Sequence, residues 1–297
     1  MKSSLIILIT GATAGIGRHA ALHLARAGHR VIATGRRKDA LAALAKEAKG
    51  TKLETMELDV TSAASIEAAK AEVDTRTGGY GLDVLVNNAG YGLMGPLEEI
   101  SDADLRAQYD TNVFGLVAMT RAFLPAMRVR GSGRIVNVSS MGGRMTFPFM
   151  GAYNSTKYAI ESMSDALRME VAPFGVKVSL IEPGAIKSDF ADRAMSTTRV
   201  QAGSPYAPIL ANADRMKKQF EATEVGPETV SRAIEKAATA RRPAARYVAP
   251  GRTILVLLLV RMMPTSWVDA MLRFAAGLTR KNLAPAASSP PALTEAR

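Results

Sequence analysis

Cysteine is absent from the chain. No disulfide framework can form, and no thiolate is available as a nucleophile or zinc ligand. Histidine is scarce: His19, His23 and His29 are the full set, all within the first 30 residues. Two of them fall on one helical pattern, which is too little for a His-based metal site or a Ser-His-Asp triad. Long apolar runs are missing as well. Leu5–Ile9 holds five apolar residues before a glycine turn, shorter than the apolar region of a signal peptide and lacking its small-residue cleavage site. Ile254–Val260 holds seven before Arg261, against the roughly 20 needed to span a bilayer. Neither an export signal nor a transmembrane segment is read, and a cytoplasmic protein is expected.

What is present fits a globular enzyme-sized chain. Its 297 residues suffice for one large α/β domain, and 47% apolar with 22% charged residues excludes wholesale disorder. The net charge is +11, and from Phe190 onward 16 Lys and Arg stand against 8 Asp and Glu. Such an excess suits an acidic partner, such as a phosphorylated cofactor, an anionic lipid or a nucleic acid, or simply a solvated surface. No nucleic-acid partner is expected.

Short Val/Ile-rich blocks alternate with helical patterns. Strands are predicted at Leu5–Ile9, Arg30–Thr34, Lys52–Leu58, Val84–Val86, Arg134–Val138, Val176–Ile181 and Arg246–Val248. Between them, Ile16–Ala27, Asp39–Ala48, Ala63–Arg76 and Ala103–Met127 carry apolar residues three and four apart. The strands are continuously apolar, as when helices cover both faces of a parallel sheet. The prediction is therefore a doubly wound, Rossmann-like α/β fold. After Glu182 the rhythm breaks. Residues 187–225 read as a helical lid without strand character, with Met195, Tyr206, Ile209, Leu210, Met216 and Phe220 on its apolar underside. Pro227–Ala240 is a further helix, and 252–280 form apolar helices broken at Pro264. One domain over residues 1–283 is expected, with an Ala/Pro/Ser-rich, disordered tail from Ala284 to Arg297.

The first strand runs into Thr10-Gly11-Ala12-Thr13-Ala14-Gly15-Ile16-Gly17. Glycines let such a turn approach a pyrophosphate lying on a helix N-terminus, though any tight strand-to-helix turn favours glycine. The second strand ends in Arg36-Arg37, where a site for NAD would place an acid. Two guanidiniums suit the 2′-phosphate of NADP(H); a basic first helical turn is the alternative. Asp59, followed by Val60, can accept from an adenine amine or cap the next helix in competition with Thr61 and Ser62. Asn88-Ala89-Gly90 ends strand four with small residues that admit a ligand closely.

Tyr153 and Lys157 stand four residues apart, on one face of a helix. A free phenol ionises near pH 10, so a nearby ammonium and a cationic nicotinamide would have to stabilise phenolate by roughly 3–4 kcal/mol to make it a base at neutral pH. Ser140 precedes Tyr153 by thirteen residues and can hold a substrate oxygen. Alone, a Tyr-x-x-x-Lys pair is an ordinary helix surface. With the glycine turn, Asn88 and Ser140 it becomes a constellation.

Over residues 4–190 this set resembles the short-chain dehydrogenase/reductase family, in the shorter subtype with the Thr-Gly-x-x-x-Gly-x-Gly turn. The resemblance implies an NADP(H)-dependent oxidoreductase moving a hydride between nicotinamide and a carbonyl or secondary alcohol. It implies Tyr153 as general acid/base, Lys157 as its electrostatic partner and ribose ligand, Ser140 as the carbonyl-orienting hydroxyl, and Asn112 as support for a water-mediated proton relay. Pro183-Gly184 would line the nicotinamide, with Ile186 and Ser188 at its carboxamide; the family often has threonine where Ser188 stands. Ser139 is the neighbouring alternative to Ser140, which the spacing disfavours.

Leu93, Met94, Met141, Met145, Phe147, Phe149 and Met150 flank the predicted site. They suit a lipophilic small-molecule substrate or simply pack the core. The chain is similar to hydroxysteroid and retinol dehydrogenases in its Leu180–Gly184 segment and long C-terminal part. A 3-oxoacyl thioester reductase is the nearest enzymatic alternative and a non-catalytic NADP-binding regulator the other. Family members are commonly homodimers or homotetramers. The apolar run at 254–260 is expected to widen the pocket or join subunits. Peripheral membrane contact through its flanks Arg246, Arg252 and Arg261 is the less favoured expectation.

Overall fold

The computed structural model describes residues 4–188, 190, 194, 197–198, 201, 203–211 and 223–283. Seven parallel strands form one sheet: β1 (Ile6–Ile9), β2 (Arg30–Gly35), β3 (Leu53–Glu57), β4 (Val84–Asn87), β5 (Gly133–Val138), β6 (Val176–Pro183) and β7 (Arg246–Ala249), in the order β3-β2-β1-β4-β5-β6-β7. All seven lie where predicted, with ends shifted by one or two residues. The chain builds outward from β1 to β3, returns, and builds outward again from β4. The reversal lies between β1 and β4, the place where a doubly wound sheet binds ligands beyond its carboxyl ends.

Strand side chains alternate between two cores. Ile7, Ile9, Val31, Ala33, Val84 and Val86 pack on one face against α1 (Gly15–Arg26), while Leu8, Ile32 and Leu85 face the other, with Met119, Phe123 and Met127. Both faces are covered, so the strands carry no polar stripe. Helices α2 (Lys38–Glu47) and α3 (Ala63–Arg76) complete the first half. Ser62 caps α3 by accepting from the Ser65 N–H at 3.3 Å, which settles the competition with Asp59 and Thr61 in its favour.

The pattern read as one helix over 103–127 is a helix in two parts. α4 (Asp102–Tyr109) and α5 (Gly115–Arg130) are joined by a π-helical turn, Asp110–Phe114. The turn carries Asn112, which is buried. Then come α6 (Gly151–Val171), the short α7 (Ala207–Ala211), α8 (Glu228–Thr239), α9 (Thr253–Met262) and α10 (Thr265–Ala275), the last two separated at Pro264 as expected. The histidines serve packing: His19 contacts the Ser231 hydroxyl at 2.7 Å and His23 the Glu235 carboxylate at 2.8 Å, tying α1 to α8.

Residues 187–225 were expected without strand character. No strand lies among their described residues, and an isolated parallel bridge between Ile186 and Val225 closes their base, with the Lys187 N–H donating to Val225 and the Val225 N–H to Ala185. Met195, Met216, Phe220 and the tail 284–297 lie outside the described residues. No helix among the described residues is long and apolar enough to cross a membrane.

Candidate functional site

Six strand ends deliver the predicted loop residues to one edge of the sheet. Gly11–Gly17 follow β1, Arg36 and Arg37 follow β2, Asp59 and Val60 follow β3, Asn88–Gly90 follow β4, and Ser140 follows β5. Pro183 ends β6, and Gly184, Ile186 and Ser188 come next. Parallel register aligns these ends, since Ile9 lies beside both Ala33 and Val86, and Asn87 beside Asn137.

The first turn is shaped by close backbone approach. Gly11 has φ +66°, and a Cβ there would fall 2.8 Å from the Ala89 Cα. A Cβ on Gly17 would meet the Asn88 amide nitrogen at 2.3 Å. Asn88 and Thr10 hold this junction. The Asn88 side-chain amide donates to the Thr10 and Gly11 carbonyls, and the Thr10 hydroxyl accepts from the Asn88 and Ala89 N–H groups at 2.9 Å. Asn88, predicted as a ligand contact, thus spends its amide on shaping the turn, and Thr10 is a positioning residue that the sequence reading left unassigned. The result is a bare backbone cradle ahead of α1, of the kind a pyrophosphate fits. Thr13 packs over Gly35 at the end of β2, where a Cβ would meet its methyl at 2.5 Å, and Ser188 lies over Gly15.

Arg36 and Arg37 are exposed, and neither is ion-paired with a described residue. Burial opposes ionisation of Asp59, but the Thr61 N–H and hydroxyl donate to its carboxylate and Arg36 lies nearby. Together they hold its carboxyl below the usual range. Val60 is buried against Gly115, so only its backbone can face a ligand.

α6 presents Tyr153, Lys157 and Glu161 on one buried face, each four residues from the last. Ser140 caps the turn after β5, accepting from the Gly142 N–H at 3.0 Å, and its hydroxyl faces the Tyr153 phenol. Ser139 faces Glu161 instead, so the geometry separates the two serines as the spacing did. The Lys157 Nζ donates to the Val138 carbonyl at 2.9 Å and lies 5.6 Å from the Tyr153 ring centre. Burial pushes the phenol up to about 12, with Ser140 pulling weakly the other way. Burial likewise pushes Lys157 down to about 8, against the attraction of Glu161. In the chain alone, desolvation dominates both groups.

Asn112 does not reach Tyr153 directly. Its amide nitrogen donates to the Tyr91 carbonyl at 3.0 Å and the Thr156 hydroxyl at 3.1 Å, and its oxygen accepts from the Tyr91 N–H at 3.1 Å. It fixes the loop after β4 to α6, next to Lys157. Of the flanking apolar residues, Leu93 is anchored through its N–H to Gln108 at 2.8 Å, and Phe149 is buried edge-on against Tyr206 at 5.9 Å between ring centres. Phe190 covers Tyr153, with 5.2 Å between ring centres. Met145 lines a different space, a cavity of about 360 Å³ bounded by Arg144, Thr146 and Tyr158 on one side and Leu257, Val260 and Leu272 of α9 and α10 on the other.

A charged cluster backs Lys157, and sequence reasoning missed it. Glu182 is fully buried at the end of β6, 3.2 Å from Arg144 and 3.0 Å from Arg246. Arg246 also meets Glu161 at 3.1 Å and Asp165 at 2.6 Å. Burial pushes the Glu161 carboxyl up; Ser139 pulls it down, Glu182 pushes it up and Arg246 pulls it down. The available signals were Glu161 one turn beyond Lys157 and an acid inside an apolar strand.

The chain is 37% identical over 270 residues to the uncharacterized oxidoreductase YbbO of Escherichia coli K12, covering 90% of this chain and 93% of that protein. It is 35% identical to the 3-ketodihydrosphingosine reductase of Bacteroides thetaiotaomicron, covering 80% of this chain and 85% of the relative. The crystal structure of a short-chain dehydrogenase from Streptomyces avermitilis superposes with a TM-score of 0.75 at 35% identity, covering 94% of this chain and 98% of that one. The family model for short chain dehydrogenases matches residues 5–199, which hold the glycine turn, Ser140, Tyr153 and Lys157 on their strand ends and helix, and the chain belongs to that family of oxidoreductases.

Proposed function

We propose that this chain is an NADP(H)-dependent reductase of lipophilic ketones, running in reverse as a dehydrogenase of the corresponding secondary alcohols. The observation that carries the reading is Tyr153: buried, neutral at physiological pH, and faced by Ser140 at the carboxyl edge of the sheet. A neutral phenol is a proton donor, the role that ketone reduction requires. NADPH, when bound, supplies the hydride that attacks the carbonyl carbon. Ser140 holds the carbonyl oxygen, and Tyr153 gives that oxygen its proton. Lys157 holds the ribose and stabilises the phenolate that remains. Asn112 keeps the neighbouring loop in place for proton return.

Gly11, Thr13, Gly15, Ile16 and Gly17 form the cradle for the pyrophosphate. Arg36 and Arg37 take the 2′-phosphate, an assignment supported by their exposure and lack of an ion pair with any described residue. Asp59 and Val60 border the adenine, while Ala89 and Gly90, on the loop that Asn88 ties to the first turn, let the cofactor approach closely. Pro183, Gly184, Ile186 and Ser188 line the nicotinamide. The lipophilic substrate class is supported by Phe190 against Tyr153, by the Phe149–Tyr206 ring pair, and by the 3-ketodihydrosphingosine in the Bacteroides relative's name.

NADPH absorbance loss over a panel of ketosteroids, retinal, a 3-keto long-chain base, acyl thioesters and small ketones tests the proposal. Turnover should be fastest with the lipophilic ketones and faster with NADPH than NADH. Turnover confined to small ketones, or a preference for NADH, overturns it. NADPH binding without turnover across the panel supports a non-catalytic regulator.

A further inference from the structure

The two C-terminal helices break the rule that a surface helix turns its polar side outward. α9 reads TILVLLLVRM, and of these only Thr253 and Leu257 are buried. Leu255, Leu258, Leu259 and Met262, spaced i, i+3, i+4 and i+7, form one exposed apolar stripe. On α10, Trp267, Met271 and Phe274 repeat the pattern at i, i+4 and i+7. Nine of the sixteen large apolar side chains exposed among the described residues lie between Ile254 and Phe274. Scattered exposed leucines are ordinary, but this concentration marks a surface that meets something apolar.

The charges around the stripe identify what it meets. Between residues 252 and 283 stand Arg252, Arg261, Arg273, Arg280 and Lys281 against the single acid Asp269. Arg261, Arg273, Arg280 and Lys281 form no ion pair with any described residue. Apolar stripes edged by cations, with a tryptophan among the apolar residues, are the composition of a helix lying in a membrane–water interface. Ten and eleven residues make helices of about 15–16 Å, so they lie along such a surface and do not cross it. A second copy of the chain fits less well. A two-fold contact through this face would set the same five cations against themselves.

We propose that α9 and α10 are a docking face for an anionic lipid surface. The apolar stripes enter the acyl boundary while the flanking arginines and Lys281 meet the headgroup charge. Docking requires no turnover, so it is measured without substrate.

The sequence has one tryptophan, Trp267, which is 66% exposed and reports the face directly. The full-length protein is titrated with vesicles of phosphatidylcholine alone and of phosphatidylcholine with phosphatidylglycerol. Tryptophan emission, vesicle co-sedimentation and sedimentation velocity are followed. The expected result is a blue shift and pelleting with the anionic vesicles that weaken as salt is raised. Arg261→Glu with Arg273→Glu should weaken binding by more than about 10-fold. Leu255→Ser with Leu259→Ser should weaken it similarly, and thermal melting checks that both variants fold. The proposal is overturned if the anionic vesicles give neither shift nor pelleting, or if neutral and anionic vesicles bind equally. It is also overturned if Leu255→Ser with Leu259→Ser converts an oligomer to monomers without changing vesicle binding, which makes the face a subunit contact.

Discussion

At the end of β6, Glu182 is fully buried and still meets two arginines. On α9, 77 residues later, Leu259 is apolar and 61% exposed. One region hides charge and the other shows grease. In the first, the cost of burying carboxylates is offset only because Arg144 and Arg246 arrive from distant parts of the chain with good geometry. In the second, no described element covers the apolar stripe. Residues that defy the ordinary inside–outside sorting carry the most information in this molecule: the buried charges brace the site, and the exposed apolar chains face outward for an occupant.

The largest effect is expected from breaking the buried side of this comparison. Arg246→Met removes the arginine that meets Glu161, and one of the two arginines that meet Asp165 and Glu182 each. Leaving buried carboxylates short of a counter-charge should destabilise the fold by about 3–5 kcal/mol, read as a fall in the urea midpoint at unchanged slope.

Lys157→Met addresses the next buried charge. The lysine's folded value of about 8 lies below its ordinary 10.5, so between these values the unfolded chain binds more protons than the folded one. Stability contributed by this group therefore rises as pH is raised from about 8 to about 10.5, by about 3 kcal/mol in full. The difference between wild-type and Lys157→Met unfolding curves should show that rise, and parallel pH profiles would contradict it.

Most of the fold was legible because β-α-β alternation leaves apolar blocks and helical spacing in the sequence itself. The strand-end residues were legible for the same reason, since a motif placed after a strand is placed at the sheet edge. What was missed depends on contacts that sequence spacing hides. Arg246 and Glu161 are 85 residues apart and meet only because β7 pairs with β6 beside α6. The π-helical turn at Asp110–Phe114 left no mark on the apolar spacing, because it widens one turn between two helices that share a periodicity. The dryness around Tyr153 was not legible, because the helix spacing reveals the nearby ammonium but not the burial of both groups. The exposed face of α9 and α10 was not legible, because composition shows that a helix is apolar without showing which side stays uncovered.

A smaller effect is expected at the cofactor end. Arg36→Ala with Arg37→Ala should weaken NADPH binding by about 10- to 150-fold while changing NADH little, measured by titration calorimetry. Equal loss for both cofactors would move the arginines away from the 2′-phosphate.

The smallest effect should come from the exposed side. Leu255→Ser and Phe274→Ser remove apolar surface that is already in water in the free chain. Each should change stability by no more than about 0.5 kcal/mol, a sharp contrast with Arg246→Met. A loss of several kcal/mol would mean that these side chains are covered in solution.

The proposal centres on a neutral, buried Tyr153 delivering a proton to a carbonyl oxygen, and a single comparison isolates it. Tyr153→Phe keeps the ring against Phe190 and removes only the hydroxyl. Ketone reduction is followed under single-turnover conditions for both proteins, after NADPH affinity has been matched by fluorescence titration. The expected outcome is native NADPH affinity with reduction slowed by about 100-fold or more. Near-native reduction by Tyr153→Phe would contradict the assignment and move the proton donor elsewhere.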